Sequence, residues 1–109
     1  MSITNEQYLE FTRTTAIYPK DRELEYLCLG LGSESGEVQG KVKKLIRDKK
    51  ELTLNTKGEI ISEISDCLWY ITRLADTMGI TLDELIEYNY KKLSDRQTRG
   101  VIQGSGDSR

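Results

Sequence analysis

The sequence predicts an all-α fold made of four helices in a bundle-like arrangement. Three observations support this class. The 109-residue chain holds a single proline, its apolar residues recur at three- and four-residue intervals, and no segment alternates apolar and polar residues as a strand would. Hydrophobic residues make up 37% of the chain and charged residues 31%, which indicates a globular protein rather than a disordered one.

The first two predicted helices lie on either side of the proline. The first covers residues 4–17, with Thr4 or Asn5 as its cap, and it ends before Pro19 because the residue preceding a proline disfavours helix. The second covers residues 23–49. Its apolar stripe repeats at helical spacing and consists of Leu24, Leu27, Cys28, Leu31, Val38, Val42, Leu45 and Ile46.

The sequence of the second half of the chain predicts two further helices. A turn at Asn55 precedes a third helix over residues 57–78, which Gly79 ends as a C′ glycine. The stretch Thr81-Leu82-Asp83-Glu84 has the pattern of a capping box, and it starts a fourth helix that continues to Gln97.

These elements divide the chain into a domain of residues 1–97 and a glycine-rich tail of residues 98–109, which composition indicates to be disordered.

The formal charge of −2 argues against a dedicated nucleic-acid binder. No apolar run approaches the roughly 18 residues of a membrane span, and the first six residues lack the pattern of a signal peptide. Cys28 and Cys67 lie in apolar helical patterns as buried free thiols, so we expect a cytoplasmic protein.

Two pairs of carboxylates are the unusual feature of the sequence. Glu34 and Glu37 lie three residues apart in the second helix, and Glu63 and Asp66 do so in the third. Side chains at i and i+3 share a helix face, so antiparallel packing would bring the four carboxylates together. Such a cluster requires cations, and an all-oxygen set suits Mg²⁺ or Mn²⁺. The alternative is a set of ordinary acids on a solvated face.

The residues around the acids restrict the kinds of metal site and reaction that these acids could support. The chain contains no histidine, which excludes the usual general base and the histidine-based zinc and di-iron sites. Lys41 and Lys44 follow the acids of the second helix, and Tyr70 and Arg73 follow those of the third. Carboxylates for a metal beside cations for phosphate are what phosphoryl chemistry needs.

Three glycines lie around Glu34, at positions 30, 32 and 36. Each costs up to about 1 kcal/mol relative to alanine in a helix interior. Their presence indicates close approach of another backbone or of a ligand, or else a kink or a tight helix contact.

The paired acids and their surroundings resemble a known family. Glu34-Ser35-Gly36-Glu37 followed by Glu63-Ile64-Ser65-Asp66 resembles the ExxE and ExxD motifs of MazG-like nucleotide pyrophosphohydrolases, in the all-α NTP pyrophosphatase superfamily. The glycine-rich stretch 29–38, the segment Asp66-Cys67-Leu68-Trp69-Tyr70 and the segment Asn89-Tyr90-Lys91-Lys92-Leu93-Ser94-Asp95-Arg96 are similar to the family's patterns. The resemblance covers residues 23–97.

What this resemblance implies is Mg²⁺-dependent hydrolysis of a nucleoside triphosphate to the monophosphate and pyrophosphate. Glu34, Glu37, Glu63 and Asp66 would hold the metal, and Glu37, with Glu34, would act on the attacking water. The positions implied for substrate binding are Lys41, Lys44, Tyr70, Asn89, Lys92 and Arg96. The family also implies a homodimer or homotetramer that completes the fold. In that setting the tail would close over the nucleotide.

The sequence leaves other functions open. Within the enzyme class, the substrate could be dUTP, dCTP or phosphoribosyl-ATP, because no aromatic pair for base stacking is evident and Trp69 is interpreted as a core residue. Outside that class, the chain could be a helical interaction module that retains a regulatory metal site, or a dimerising bundle without a ligand.

Overall fold

Residues 2–109 are described by the computed structural model, and they fold into helices joined by short turns. The helices are α1 (Asn5–Thr14), α2 (Glu23–Arg47), α3 (Leu54–Thr77) and α4 (Leu82–Arg99), with a 3-10 turn at Lys20–Arg22 before α2. No strand occurs within these residues, so the prediction of an all-α fold with four helices is confirmed. None of the described helices is long and apolar enough to cross a membrane.

Threonine capping boxes start three of the four helices. Thr4, Thr53 and Thr81 each accept a hydrogen bond from the backbone N–H three residues later, and the side chain of that later residue accepts one in return. Such a cap is worth about 1 kcal/mol, and the box predicted at Thr81 is confirmed. Gly79 and Gly100 have left-handed φ values of 78° and 71° just beyond α3 and α4, where a side chain would be strained.

Two helix boundaries differ from the prediction by three residues, for local reasons. α1 ends three residues early because Thr14 and Thr15 turn their hydroxyls onto carbonyls of the preceding turn. α3 begins three residues early because Thr53 supplies a cap that was not recognised. The turn predicted at Asn55 is therefore wrong, since Asn55 lies in the first turn of α3.

α2 and α3 form a long antiparallel hairpin that is the main body of the chain. Contacts along it pair Gly30 with Tyr70, Ser35 with Cys67 and Lys41 with Glu59. Residue numbers fall along α3 as they rise along α2, which establishes the antiparallel direction. This is the packing that the sequence requires for the acidic pairs to meet.

The buried core lies at one end of this hairpin, where α1 and the following turn cover it. Leu27 is fully buried together with Ala16 and Tyr18, and Trp69 packs edge-on against Tyr18. The indole N–H of Trp69 donates a hydrogen bond to the hydroxyl of Thr15 at 2.7 Å. The interpretation of Trp69 as a core residue is confirmed. Both cysteines are free, but Cys28 is exposed rather than buried.

A buried ion network joins α1, α2 and α3. The Arg73 side chain, 7% exposed, donates to Asp76 at 2.7 Å and to Thr12 at 3.4 Å, and its guanidinium lies 3.9 Å from Glu23. Arg13 donates two further hydrogen bonds to Asp76, at 2.8 and 2.9 Å. Arg73 is therefore part of the scaffold and does not belong to the acidic face of α3 as its spacing suggested.

α4 leaves this body in a separate direction. It packs against α1 and α3 and does not contact α2, and Asn5 of α1 donates a 2.7 Å hydrogen bond to Asp83 at its start. Residues after Arg99 form turns that hydrogen-bond back to α4, in contrast to the disordered tail that composition indicated.

Large apolar faces remain open in the single chain. Within the predicted stripe of α2, Leu24, Val42 and Ile46 are exposed by 45%, 42% and 75%. The open apolar residues of the other long helices are Ile61, Ile64 and Leu68 on α3 and Ile86, Tyr90 and Leu93 on α4. The periodicity identified these faces correctly, but nothing within residues 2–109 covers them.

Asp76 provides a test of the ion network. Hydrogen bonds from Arg13 and then from Arg73 lower the pKa of Asp76 from 3.8 to about 2. A depressed carboxyl pKa stabilises the folded state at all pH values above about 4, and this contribution is lost as the pH falls through 2. We expect Asp76→Asn to lower the free energy of unfolding by about 2 kcal/mol at pH 7 and by much less near pH 2.

Urea unfolding at the two pH values measures this difference. Asp95→Asn is the matched control, because Asp95 pairs with Arg99 only on the exposed side of α4. A similar, small loss from both substitutions at pH 7 would contradict a structural role for the network.

Candidate functional site

Three of the four predicted metal ligands come together between α2 and α3. Glu34 on α2 and Glu63 and Asp66 on α3 each offer a carboxylate oxygen, and these oxygens all lie within 4.8 Å of one another. The i, i+3 spacing aims Glu63 and Asp66 in one direction, and the antiparallel partner helix places Glu34 opposite them. We call these three residues the carboxylate cluster.

The electrostatics of the carboxylate cluster are unfavourable without a cation. Burial raises the pKa of Glu34, and the charges of Asp66, Glu63 and Glu37, together with a hydrogen bond to Glu63, raise it further. No lysine or arginine in residues 2–109 forms an ion pair with any member of the cluster. The arrangement is therefore three mutually repelling acids that a cation would stabilise.

Glu37 lies one helical turn beyond Glu34 and outside the carboxylate cluster. Its charge still contributes to the raised pKa of Glu34, so it faces the same region. Its role as a metal ligand or as the residue that acts on water stays a prediction.

One aromatic ring, that of Tyr70, lies near the cluster. Tyr70 lies directly against Gly30, where an added Cβ would overlap its ring, and it packs edge-on against Trp69 at 5.0 Å between centroids. Burial, Tyr26 and the charge of Glu34 raise the pKa of the Tyr70 hydroxyl. At Gly30 the structure shows a tight helix contact with an aromatic side chain rather than close approach of a backbone or a ligand, and nothing lies within 4 Å of a Cβ added at Gly32 or Gly36.

One residue near the cluster was missed from the sequence. Burial and the charge of Asp66 raise the pKa of Tyr8, which places this α1 side chain within electrostatic reach of the acids. Tyr8 was not among the predicted site residues. Helical periodicity assigns a residue to a face but does not say which other helix that face meets, so no signal in the sequence would have found it.

The two lysines predicted on α2 lie farther along the hairpin. Lys41 is 3.7 Å from Glu59 of α3 and is partly neutralised by it. Lys41 and Lys44 line an open cleft of about 380 Å³ together with Lys50 and the first turn of α3. Asp48 and Glu59 line the same cleft, so the three lysines leave it only weakly positive.

The three predicted residues of α4 are not brought to the cluster within the single chain. α4 does not contact α2, and Asn89 lines an open apolar groove of about 520 Å³ with Tyr90 and Leu93. Lys92 and Arg96 instead bind Asp107 of the tail. Their role in substrate binding stays a prediction.

Comparison with known proteins shows which family the chain belongs to. Residues 22–101 match the family described as the MazG nucleotide pyrophosphohydrolase domain, and this range contains α2, α3 and α4 with the whole carboxylate cluster. The chain belongs to this MazG family. Membership indicates nucleotide pyrophosphohydrolase activity in general.

The chain also has a relative in a bacteriophage. It is the Gene 37 protein of Mycobacterium phage L5, which is 40% identical over 102 residues, covering 87% of this chain and 90% of the phage protein. No solved structure matches the chain. The family motif and the helix geometry therefore agree on the carboxylate cluster as the candidate site.

The glycines of α2 provide a test of the cluster's aromatic side. We expect Gly30→Ala to lower the free energy of unfolding by roughly 1–3 kcal/mol, because the new methyl group displaces the Tyr70 ring from its packing. Gly32→Ala is the matched control. Nothing lies within 4 Å of its added Cβ, so it should gain up to about 1 kcal/mol from helix propensity. Chemical denaturation of both variants compares them, and an equal response would refute the Gly30–Tyr70 contact.

Proposed function

We propose that this MazG protein is a Mg²⁺-dependent nucleoside triphosphate pyrophosphohydrolase that converts (d)NTPs to (d)NMPs and pyrophosphate, with a role in clearing unwanted nucleotides from the pool. The observation that carries the proposal is the carboxylate cluster itself. Within residues 2–109 no basic side chain pairs with Glu34, Glu63 or Asp66, and these three acids lie inside the matched MazG range, in stretches that resemble the family's ExxE and ExxD motifs.

The donor set fits a hard divalent cation. Three carboxylate oxygens within 4.8 Å of one another match the oxygen ligands that Mg²⁺ prefers, and Mn²⁺ accepts the same set. Glu34, Glu63 and Asp66 would hold the ion, and Glu37 would complete the set from the next turn of α2. When bound, such an ion binds phosphate oxygens and stabilises the negative charge that develops on them during the reaction.

The protein's own residues carry the remaining steps. Glu37 would accept a hydrogen bond from the attacking water and orient it, or take its proton, as water attacks the α-phosphorus and pyrophosphate leaves. Glu34 would assist from the adjacent turn. A bound cation would lower the raised pKa of Glu34 again.

Cationic residues would bind the phosphates. Lys41 and Lys44 lie on the same helix as Glu34, beyond it toward the open cleft. Tyr70 lies beside the cluster and offers its hydroxyl to the sugar or a phosphate. Asn89, Lys92 and Arg96 complete the proposed substrate-binding set.

We further propose that the protein functions as a homodimer or homotetramer. The chain exposes 8326 Å², whereas a compact 12.5 kDa monomer is expected to expose roughly 6,200 Å². Its radius of gyration is 16.8 Å, against roughly 13 Å for a compact domain of this length. An excess of roughly 2,000 Å² per chain is the amount that obligate interfaces bury.

The apolar faces of α3 and α4 are the surfaces that assembly would cover. A second copy of the chain is the natural occupant, since the same chain supplies two long apolar faces. The second copy would also bring its own α4, with Asn89, Lys92 and Arg96, toward α2 of the first copy. Within one chain, α4 does not contact α2. Two free cysteines agree with the reducing cytoplasm as the place of action.

Removing a cluster acid tests the activity. We expect Glu63→Gln or Asp66→Asn to lower pyrophosphate release from NTPs by about 100-fold or more, because a preorganised contact to the transition-state charge is commonly worth that much. Pyrophosphate detection with and without Mg²⁺, over standard and modified NTPs, is the measurement. The same Mg²⁺ should raise the melting temperature of the native protein and have less effect on either variant.

Glu25→Gln is the matched control for this test. Glu25 lies on α2, outside the carboxylate cluster, and it pairs with Arg22 at the exposed start of the helix. Full activity in both cluster variants would refute the assignment. No activity in the native protein on any nucleotide, with Mg²⁺ still raising the melting temperature, would favour a regulatory metal site.

Assembly has its own test. Light scattering after size-exclusion chromatography should give the mass of two or four chains, and Ile64→Arg should lower that mass by placing a charge on the open face of α3. Ile17→Arg is the matched control, because Ile17 is 92% exposed and lies outside the helices. A native protein that elutes as a single chain at micromolar concentration would overturn the proposal.

A further inference from the structure

The residues after α4 form a small closed loop. Gly100 ends the helix with φ of 71°, and the chain turns back along α4. The guanidinium of Arg109 then donates to the carbonyl oxygens of Val101, Ile102 and Gly106 at 2.8, 2.9 and 2.6 Å. These bonds tie the two ends of the loop together.

The loop delivers one carboxylate to two basic residues of α4. Nη2 of Arg96 donates to the side-chain Oδ1 of Asp107 at 3.0 Å and to its backbone carbonyl at 2.7 Å. Nζ of Lys92 lies 3.4 Å from the same Oδ1. Lys92 and Arg96 are one helical turn apart, so both cations face one bound anion. We call this pair the α4 anion site.

The partners of this contact differ greatly in exposure. The Arg96 side chain is 6% exposed and Lys92 is 31% exposed, whereas Asp107 is 85% exposed. A guanidinium buried to this extent requires an anion, because leaving it unpaired is unfavourable. An exposed carboxylate on a loop, in contrast, is readily exchanged for another anion.

We propose that Asp107 is an internal occupant of the α4 anion site and that a phosphate or pyrophosphate anion displaces it. The inference rests on the proposed function in one respect: the displacing anion during turnover is the phosphate chain of the substrate or the pyrophosphate product. The loop is then a built-in competitor, and it swings away when a stronger anion arrives.

Charge and geometry favour the exchange. A pyrophosphate ion carries more negative charge than one carboxylate and presents more acceptor oxygens to the planar guanidinium. Lys92 can follow the incoming anion because its ammonium is only partly buried. The loop returns when the anion leaves, since its tether keeps Asp107 at a high local concentration.

The variant Asp107→Asn tests the competing carboxylate without altering the α4 anion site. It removes the charge of Asp107 but leaves Lys92, Arg96 and the backbone contact in place. Glu87→Gln is the matched control, because it removes one negative charge from α4 in an exposed pair with Lys91 that does not involve the loop. Calorimetry with inorganic pyrophosphate in the presence of EDTA measures binding without the metal, and hydrogen exchange of residues 100–109 reports release of the loop.

We expect Asp107→Asn to bind pyrophosphate about threefold to fivefold more tightly than the native protein, since exposed ion pairs are worth about that factor. The control variant should bind it with a much smaller change. Pyrophosphate should also increase hydrogen exchange in residues 100–109 of the native protein.

Either of two results would overturn the inference: an unchanged pyrophosphate affinity in Asp107→Asn, or unchanged hydrogen exchange of the loop at saturating pyrophosphate. Absence of pyrophosphate binding in both proteins would overturn it as well. Tighter binding and loop release in a protein that hydrolyses no nucleotide would instead support the inference and contradict the proposed function.

Discussion

The buried Arg73 network is the constraint on which the rest of the structure depends. A guanidinium withdrawn from water must be matched by carboxylates and hydroxyls, because an unpaired buried charge is strongly unfavourable. The partners of Arg73 come from three helices, so α1 and α2 can pack on α3 only where Thr12 and Glu23 reach it. This requirement helps to set the register of α2 against α3. In that register the three acids of the carboxylate cluster meet.

The hairpin of α2 and α3 thus has one region where opposite charges compensate each other and another where like charges repel. Around Arg73, acids and bases compensate one another and lower the pKa of Asp76. Around Glu34, acids meet acids and the pKa of Glu34 rises. The first arrangement stabilises the fold, and the second reduces its stability until a cation binds. A small protein can carry such a repulsive cluster because the compensated network on the same helix holds the two helices together.

The sequence predicted most of the fold and part of the site. The capping box at Thr81 is a local feature, and its prediction was correct because local geometry is encoded by neighbouring residues. The i, i+3 spacing of the acids is also local, but the structure brings only Glu34, Glu63 and Asp66 together and leaves Glu37 outside the cluster. Arg73 was wrongly placed on the acidic face, and Tyr8 was overlooked as a neighbour of Asp66. Both depend on how helices distant in sequence meet, which periodicity does not contain. The direction of α4 also depends on how helices distant in sequence meet, so its separation from α2 was not predicted.

The glycine at position 79 has a mechanical consequence. Its φ of 78° sets the angle at which α4 leaves the body of the chain. An 18-residue helix is about 27 Å long, so a rotation of about 10° at this point moves its far end by about 5 Å. A change in this backbone dihedral that also broke the contacts of α4 with α1 and α3 would redirect the whole helix while the carboxylate cluster stays in place.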